Sequence, residues 1–412
     1  MNKFTKYEST HFKLTYPNLF SHNPNPIIEL YSGYLYTKFK NFFLKKCNEN
    51  KIEISESFLL DILSYFIINN ENTDGIIFSN KNKDRFSIDV IKSFLKRNMS
   101  TGDEKKFKKI LKDLQEESTK IYKDIKSKLS ELKKIKYDVT SVTHSNSVQL
   151  DINIKDKDLV TKLEKFKIKT RLFIKKTIYN TLIRNYNIIN FHNHESNKIL
   201  DEFFLERVFI LFTRYFIFGN ANNQSSIPPS FKKMLKKNYN IKIELFGSAI
   251  NTSNRYCSLF YEIEKYFGSM GNFFDVEIQR GYYEINPPYE DKIMNNVFFK
   301  IYESLENSKK TKEPLLFYFI IPKRNLDEFT GYQKLKKYVV YNTLIKKHNF
   351  PFLRYDRELS KTIFRPIVDV IIFIAHNNYI KDIYKENCEK SDKIISGWIY
   401  KSKSNKKDIY YS

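Results

Sequence analysis

Two continuous apolar runs constrain this chain most: Leu315 to Ile321, closed by Pro322, and Val370 to Ala375. Runs without polar alternation read as strands buried on both faces, and covering both faces of a sheet takes helices on each side. From Glu202 onward the pattern supplies them by alternating helix and strand. Pro228-Pro229 opens a helix through Phe231 and Leu235, and Ile241 to Leu245 is a short strand. That strand ends in the small-residue turn Phe246-Gly247-Ser248-Ala249-Ile250-Asn251, and a second such loop spans Tyr266-Phe267-Gly268-Ser269-Met270-Gly271. A first strand with a small-residue turn is where nucleotide and S-adenosylmethionine sites of α/β sheets begin. Strand-like segments follow at Phe273 to Ile278, holding Asp275, and at Tyr282 to Ile285. An amphipathic helix comes after, with Ile293, Val297, Ile301 and Leu305 behind acidic Glu290 and Asp291.

Between that last strand and its helix lies Asn286-Pro287-Pro288-Tyr289, preceded by Glu284-Ile285. The amino nitrogen of adenine is a poor nucleophile because its lone pair is delocalised into the ring, so two acceptors must hold its hydrogens. The Asn286 side-chain oxygen offers one and the Pro287 carbonyl the other. Two prolines fix φ near roughly −65° and bias Asn286 toward an extended backbone, which preorganises the acceptors. Tyr289 offers a flat face for an extruded base. No strong base is required, since attack on a sulfonium methyl is an in-line displacement governed by proximity and orientation. On the tetrapeptide alone a tight turn explains the residues equally well. The strands before it and the helix after it favour an adenine N6 methylation site at the carboxyl edge of an open sheet.

The formal net charge of +24 over 412 residues makes a polyanion the default partner, and 16% aromatic residues provide stacking faces among the lysines. Nucleic acid fits that mixture better than a membrane, although a Lys- and Asn-rich coding bias also inflates the charge. The most apolar segment, Phe203 to Phe218, is interrupted by Glu206, Arg207 and Arg214 and reads as a buried helix. Cys47, Cys257 and Cys388 have no paired spacing, which argues against a zinc ribbon or a disulfide framework and suits a reducing compartment. Met1 to Tyr16 has no apolar core of a secretory signal. His192 and His194 alternate within Phe191-His-Asn-His-Glu195, yet no ligand cluster lies near them in sequence, and no metal is expected.

The first half is helical in character. Ile27 to Phe43, Ser57 to Asn69, Asp89 to Lys96 and Lys157 to Tyr186 carry apolar residues at helical spacing, and Asp103 to Lys136 is a long Lys/Glu-rich helix or helical pair. Lys165, Lys167, Lys169, Arg171, Lys175 and Lys176 form a basic cluster with no acid between them. The expected organisation is an α/β fold: an all-helical domain over residues 1–200, a Rossmann-type methyltransferase domain over 201–385, and a basic C-terminal tail over 386–412, of which Lys401 to Lys407 is expected to be mobile.

The order of landmarks resembles the cap-specific adenosine N6-methyltransferase family known as phosphorylated-CTD-interacting factor. The resemblance runs from Arg214-Tyr215 through Ile227-Pro228, Phe231, Phe246 to Asn251, Tyr256-Cys257-Ser258, Tyr266 to Ser269 and Asp275 to Asn286-Pro287-Pro288-Tyr289 and Ile321-Pro322. It implies a helical domain with a Rossmann-type domain that uses S-adenosylmethionine to methylate N6 of a 2′-O-methyladenosine beside a 7-methylguanosine cap. It further implies that Phe246, Ser248, Asn251, Phe267, Gly268 and Asp275 line the cofactor, while Asn286, Pro287, Pro288 and Tyr289 hold the base. Arg214, Arg255, Lys323, Arg324 and Arg354 flank these landmarks and are expected to meet RNA phosphates.

The chain also departs from the family's pattern. Gly247 and Ala249 replace Ala and Pro, which implies a looser loop, and Tyr289 replaces Phe, which keeps the ring and adds a hydroxyl. Lys323-Arg324 stand where the family tends toward Glu-Trp. The one tryptophan, Trp398, cannot make a module defined by two, so a version without the WW domain is expected, with no WW-mediated recruitment to the polymerase tail. The setting is intracellular, nuclear or cytoplasmic, or a viral factory if the source is viral. Two other readings stay open: an N6-adenine methyltransferase for DNA or internal RNA sites, and a catalytically silent RNA-binding platform on the same fold.

Overall fold

The structure, a computed structural model, describes residues 12–14, 24–54, 59, 63, 104–191, 202–218, 225–252, 255–289, 291–355 and 361–404. His192, His194, Glu290, the expected helix at Asp89 to Lys96 and most of that at Ser57 to Asn69 lie outside these residues. The chain divides into two compact units, one of residues 18–180 and 198–220, the other of residues 1–17, 181–197 and 221–412.

In the first unit, α1 (Pro26–Glu49) starts because Pro26 sits at the first helical position and the Asn25 side chain accepts the Ile27 and Ile28 amides at 2.9 and 3.2 Å. Leu30, Phe39 and Phe43 lie on its buried face, and Phe43 meets α2 (Glu104–Leu132), where Phe107 lies 6.2 Å away, ring to ring. The apolar segment around residue 210 forms α5 (Phe204–Phe218), with Val208 to Phe212 almost wholly enclosed, as expected.

The expectation of an all-helical first half is corrected. Three strands, β2 (Tyr137–Thr143), β3 (Ser147–Ile154) and β4 (Arg171–Lys175), form an antiparallel sheet in the order β2-β3-β4. Val148, Leu150 and Ile152 alternate with Gln149 and Asp151, a period of two that buries one face. The helix expected over Lys157 to Tyr186 is therefore three elements. Helix α3 (Lys157–Lys165) is capped by the Asp156 side chain, Lys167 turns into the left-handed region at φ 55°, β4 follows, and α4 (Lys176–Phe191) begins after it.

The second unit is built on a six-stranded mixed sheet. Its strands are β5 (Ile243–Glu244), β6 (Arg255–Tyr256), β8 (Gly281–Ile285), β9 (Leu315–Pro322), β10 (Val339–Ile345) and β13 (Val370–His376), in the order β10-β13-β9-β8-β5-β6. Strands β6, β5, β8 and β9 run parallel, and β13 is antiparallel to both of its neighbours. The two apolar runs are β9 and β13, adjacent interior strands. In β9, Leu315, Phe317, Phe319 and Ile321 enter one core while Leu316, Tyr318 and Ile320 enter the other. The first core is closed by α8 (Asp291–Thr311) and α9 (Thr330–Leu335) through Val297, Phe298, Ile301 and Tyr332. The second is closed by α6 (Pro229–Tyr239) through Phe231, Leu235 and Tyr239. Two small antiparallel pairs complete the unit: β1 (Phe12–Leu14) with β7 (Val276–Ile278), and β11 (Phe352–Tyr355) with β12 (Lys361–Phe364).

The segment expected to be a basic tail carries helical structure as far as residue 404, and residues 405–412 lie outside the described residues. Residues 382–404 fold into α10 (Asp382–Glu389) and α11 (Ser391–Ser404), because Ile395 and Trp398 recur at helical spacing and insert into the second core. The Trp398 ring lies 4.7 Å from Phe231 and its Nε1 donates to Ser230 Oγ at 3.2 Å. Cys47, Cys257 and Cys388 are buried, and burial pushes each thiol up to about 12. A native-state titration with a thiol-specific reagent is expected to label none of them, and unfolding in guanidinium to release all three; rapid native labelling would contradict the packing.

Candidate active site

Strands β5 and β8 are parallel neighbours with Glu244 opposite Glu284, and the Leu245 amide adds a rung by donating to the Glu284 carbonyl at 2.9 Å. The chain therefore leaves the sheet side by side at Phe246-Gly247-Ser248 and at Asn286-Pro287-Pro288-Tyr289. After β5 the chain adds β6 on one flank, and after β8 it adds β9 on the other. Ligands of open α/β sheets bind at such a reversal of strand order, outside the carboxyl ends of the strands.

The loop after β5, where Gly247 and Ala249 stand, is pinned by hydrogen bonds. The Gly247 amide donates to the Cys257 carbonyl at 2.9 Å, Ser248 to Asn251 Oδ1 at 2.9 Å, and Ala249 to the buried Glu264 carboxylate at 2.7 Å. A Cβ at Gly247 would lie 2.8 Å from Tyr256 Cβ, so the loop passes too close to that side chain for any other residue. Gly268 abuts the same ring and needs φ 115°, which glycine adopts without strain.

The residues expected to line a cofactor divide. Phe246 is half-buried, with its ring 4.8 Å from Phe273 and 6.3 Å from Phe274, and Phe274 is exposed, so an aromatic wall stands beside the loop. Asp275 follows that wall; burial raises its pKa, and the Lys300 ammonium opposes the rise. Ser248 and Asn251 are buried and bonded to each other, so in this structure they shape the loop. Phe267 is wholly buried, with its ring 5.8 Å from that of Tyr186.

Asn286 is half-buried, Pro287 is buried, and Tyr289 is 43% exposed. The Tyr289 hydroxyl donates to Asn286 Oδ1 at 3.0 Å. Burial of the hydroxyl and then the Glu284 carboxyl raise the tyrosine's pKa, so it stays a donor. One lone pair of Oδ1 is used and one remains, and the amide's orientation is set. Tyr289 thus steers the Asn286 amide.

Beneath the motif lies a feature that sequence reasoning missed. Glu244 and Glu284 are 3% and 2% exposed. Lys232 on α6 places Nζ 2.8 and 2.9 Å from the two Glu244 oxygens and 3.2 Å from the Asn251 carbonyl, and the Thr252 hydroxyl also donates to Glu244. No described side chain donates to Glu284. Burial, then the charge of Glu244, raise its pKa well above the ordinary carboxylate value, with Lys232 opposing, so the site favours the protonated form of Glu284. The one available signal was an acid inside an otherwise apolar strand two residues before Asn286; its pairing with Glu244 depends on strand register.

The basic residues expected to meet RNA also divide. Arg214 belongs to the other unit, is 2% exposed and grips Glu29 through two bonds of 2.5 and 2.7 Å, which corrects the expectation of a phosphate contact. Arg324 pairs with Asp291 at the start of α8 at 3.3 Å, and Lys323 stays exposed with Asp369 at 3.8 Å. Arg354 stacks on Phe364 at 4.2 Å, and Arg255 on β6 is half-buried.

A family model described as the WW domain of phosphorylated CTD interacting factor 1 matches residues 177–353. Over 128 residues the chain is 34% identical to the mRNA (2'-O-methyladenosine-N(6)-)-methyltransferases of Mus musculus and Homo sapiens. The chain is similar to these methyltransferases. The alignment takes in 29% of this chain, which spans 18% of the length of the curated relatives it matches. That the matching model is a WW-domain model corrects the expectation of a version without that module, and with it the expected absence of WW-mediated recruitment. Trp398 lies outside the matched residues, so counting tryptophans was no guide to the match. The matched segment contains β5, β6, β8, β9 and the Asn286 motif.

Proposed function

We propose that this chain is an S-adenosylmethionine-dependent RNA adenosine-N6-methyltransferase acting on the cap-adjacent 2′-O-methyladenosine of mRNA, and that its sheet unit is a Rossmann-type methyltransferase domain. The observation that carries this reading is the emergence of Asn286-Pro287-Pro288-Tyr289 from β8 beside the pinned loop of β5, where the strand order reverses. The similarity to the two mammalian enzymes supports the choice of RNA and of the cap-adjacent nucleotide.

The residues present fit the cofactor's chemistry: Phe246 and Phe274 offer aromatic surface for its adenine, Asp275 an acceptor for ribose hydroxyls, and Glu284 a buried carboxyl, with no donor among the described side chains, for polar or cationic groups. When bound, S-adenosylmethionine supplies an electrophilic methyl on a sulfonium. The protein's share is to hold the amine. The open lone pair of Asn286 Oδ1 accepts one N6 hydrogen and the Pro287 carbonyl the other, which directs the nitrogen lone pair out of the ring plane. Tyr289 stacks on the base while its hydroxyl keeps the Asn286 amide turned toward the amine. The N6 proton displaced by the new bond passes to water, so no basic side chain is required.

The test is tritiated methyl transfer to RNAs that differ only in cap and first nucleotide, with duplex DNA alongside. Transfer is expected to capped RNA beginning with 2′-O-methyladenosine. Equal transfer to uncapped RNA removes the cap requirement, and preference for the duplex makes the chain a DNA enzyme. If RNA binds but nothing is methylated, the chain is a silent platform.

A further inference from the structure

The basic cluster between Lys165 and Lys176 plays no part in the proposed methyl transfer, and the structure organises it around a sheet. Strand alternation in the β2-β3-β4 sheet turns Val148, Leu150, Ile152, Leu172 and Ile174 inward, all buried. The opposite face carries Gln149 and Asp151 from β3 and Arg171, Phe173 and Lys175 from β4. Register puts Val142, Gln149 and Phe173 in one row across the three strands. Phe173 is 52% and Val142 50% exposed, and the His144 ring lies 6.4 Å from that of Phe173. Apolar residues at these positions oppose the usual rule that the solvent face of an antiparallel sheet is polar.

Charge identifies the partner. Lys165, Lys167, Lys169, Arg171 and Lys176 are exposed around β4, and Lys175 is partly so. Of the acids on the face, Asp151 is already paired with Arg171 at 2.5 Å and accepts the Gln149 amide, while Asp138 lies on β2, the strand farthest from the cations of β4. Lys165, Lys167, Lys175 and Lys176 have no ion-pair partner among the described residues. A flat face with open rings in a field of uncompensated lysines suits unpaired bases and their phosphates, because every base has a face to stack and every nucleotide an anion to hold.

We propose that the outer face of the β2-β3-β4 sheet is a docking platform for single-stranded RNA, with Phe173 stacking on an unpaired base and the cations around β4 holding the flanking phosphates. Taking RNA rather than DNA as the strand rests on the function proposed above. The platform is also distinct from an acidic protein surface, which would use the charges and leave the ring idle.

The experiment is fluorescence anisotropy of a labelled, uncapped, single-stranded RNA with the full chain over a range of salt. Phe173→Ala is expected to weaken binding about tenfold, with an unchanged unfolding temperature because the ring is half exposed, whereas Phe173→Trp binds as the wild type does. Replacing Lys165, Lys167 and Lys169 by alanine is expected to lower affinity and flatten the salt slope by about one unit for each phosphate no longer held. The proposal is overturned if Phe173→Ala binds like the wild type, if duplex RNA or single-stranded DNA binds as tightly as the single-stranded RNA, or if an acidic peptide competes at equal concentration. Calorimetry of S-adenosylmethionine with the wild-type chain is run beside it: absence of cofactor binding counts against the methyltransferase reading and leaves the platform result standing.

Discussion

Asn286→Ala is expected to slow methyl transfer to RNA by roughly a hundred- to a thousand-fold while S-adenosylmethionine binding stays within about twofold, as when one preorganised polar group is removed from a reaction centre. The asparagine acts on the amine of the base, and the residues suited to the cofactor lie on the β5 loop, the Phe274 wall and Glu284. The substitution leaves the two prolines, and so the backbone path, in place. It also deprives the Tyr289 hydroxyl, which is enclosed although the residue as a whole is 43% exposed, of its acceptor, so the tyrosine is varied separately. Tyr289→Phe is the control, since it keeps the ring and removes only the steering bond; a loss of about tenfold or less is expected. Single-turnover rates with saturating cofactor, together with calorimetry, separate the two steps. Should Asn286→Ala retain a turnover within about tenfold of the wild type, the amide is not the amine's acceptor and the motif reverts to a turn.

Much of the sheet unit was legible because its signals are local. The runs that became β9 and β13 have no polar interruption, and the Pro229 helix start and the spacing of Val297, Ile301 and Leu305 are one-dimensional patterns. The tetrapeptide was equally visible, and it follows directly on β8. What escaped depends on neighbours distant in sequence. The alternation of Val148, Leu150 and Ile152 was there to be found, but lysine-rich surroundings masked it, and Lys157 to Tyr186 was read through a break that only the turn at Lys167 reveals. Arg214 was grouped with cations expected to meet RNA although it interrupts a segment read as a buried helix, because its partner Glu29 is 185 residues away in sequence. Trp398 sits among lysines in sequence and between Phe231 and Phe350 in space.

The Glu244–Lys232–Glu284 cluster yields the other large effect, and its two sides have opposite signs. Lys232→Met removes the one cation from a buried pair and leaves Glu244 enclosed beside Glu284; breaking a buried pair in this way costs roughly 3–5 kcal/mol. Glu284→Gln works the other way. Its folded-state pKa is raised above the ordinary 4.5, so the native chain keeps a proton that the unfolded chain releases. The contribution of this group to stability is therefore complete below pH 4.5 and is lost as pH rises toward the folded-state value. A glutamine has no proton to give up, so Glu284→Gln is expected to unfold at a higher temperature than the wild type at about pH 8, with the difference shrinking as pH falls toward 4.5. Thermal unfolding followed by circular dichroism across that range reads both variants. A Lys232→Met chain as stable as the wild type would show that the buried pair does not hold the site together, and a Glu284→Gln chain less stable at the alkaline end would show that the acid is not held neutral. If the glutamine variant is more stable but binds S-adenosylmethionine more weakly, then a carboxyl that is costly to bury is kept for the ligand it meets, which is how a strained group in a well-packed sheet comes to mark a binding site.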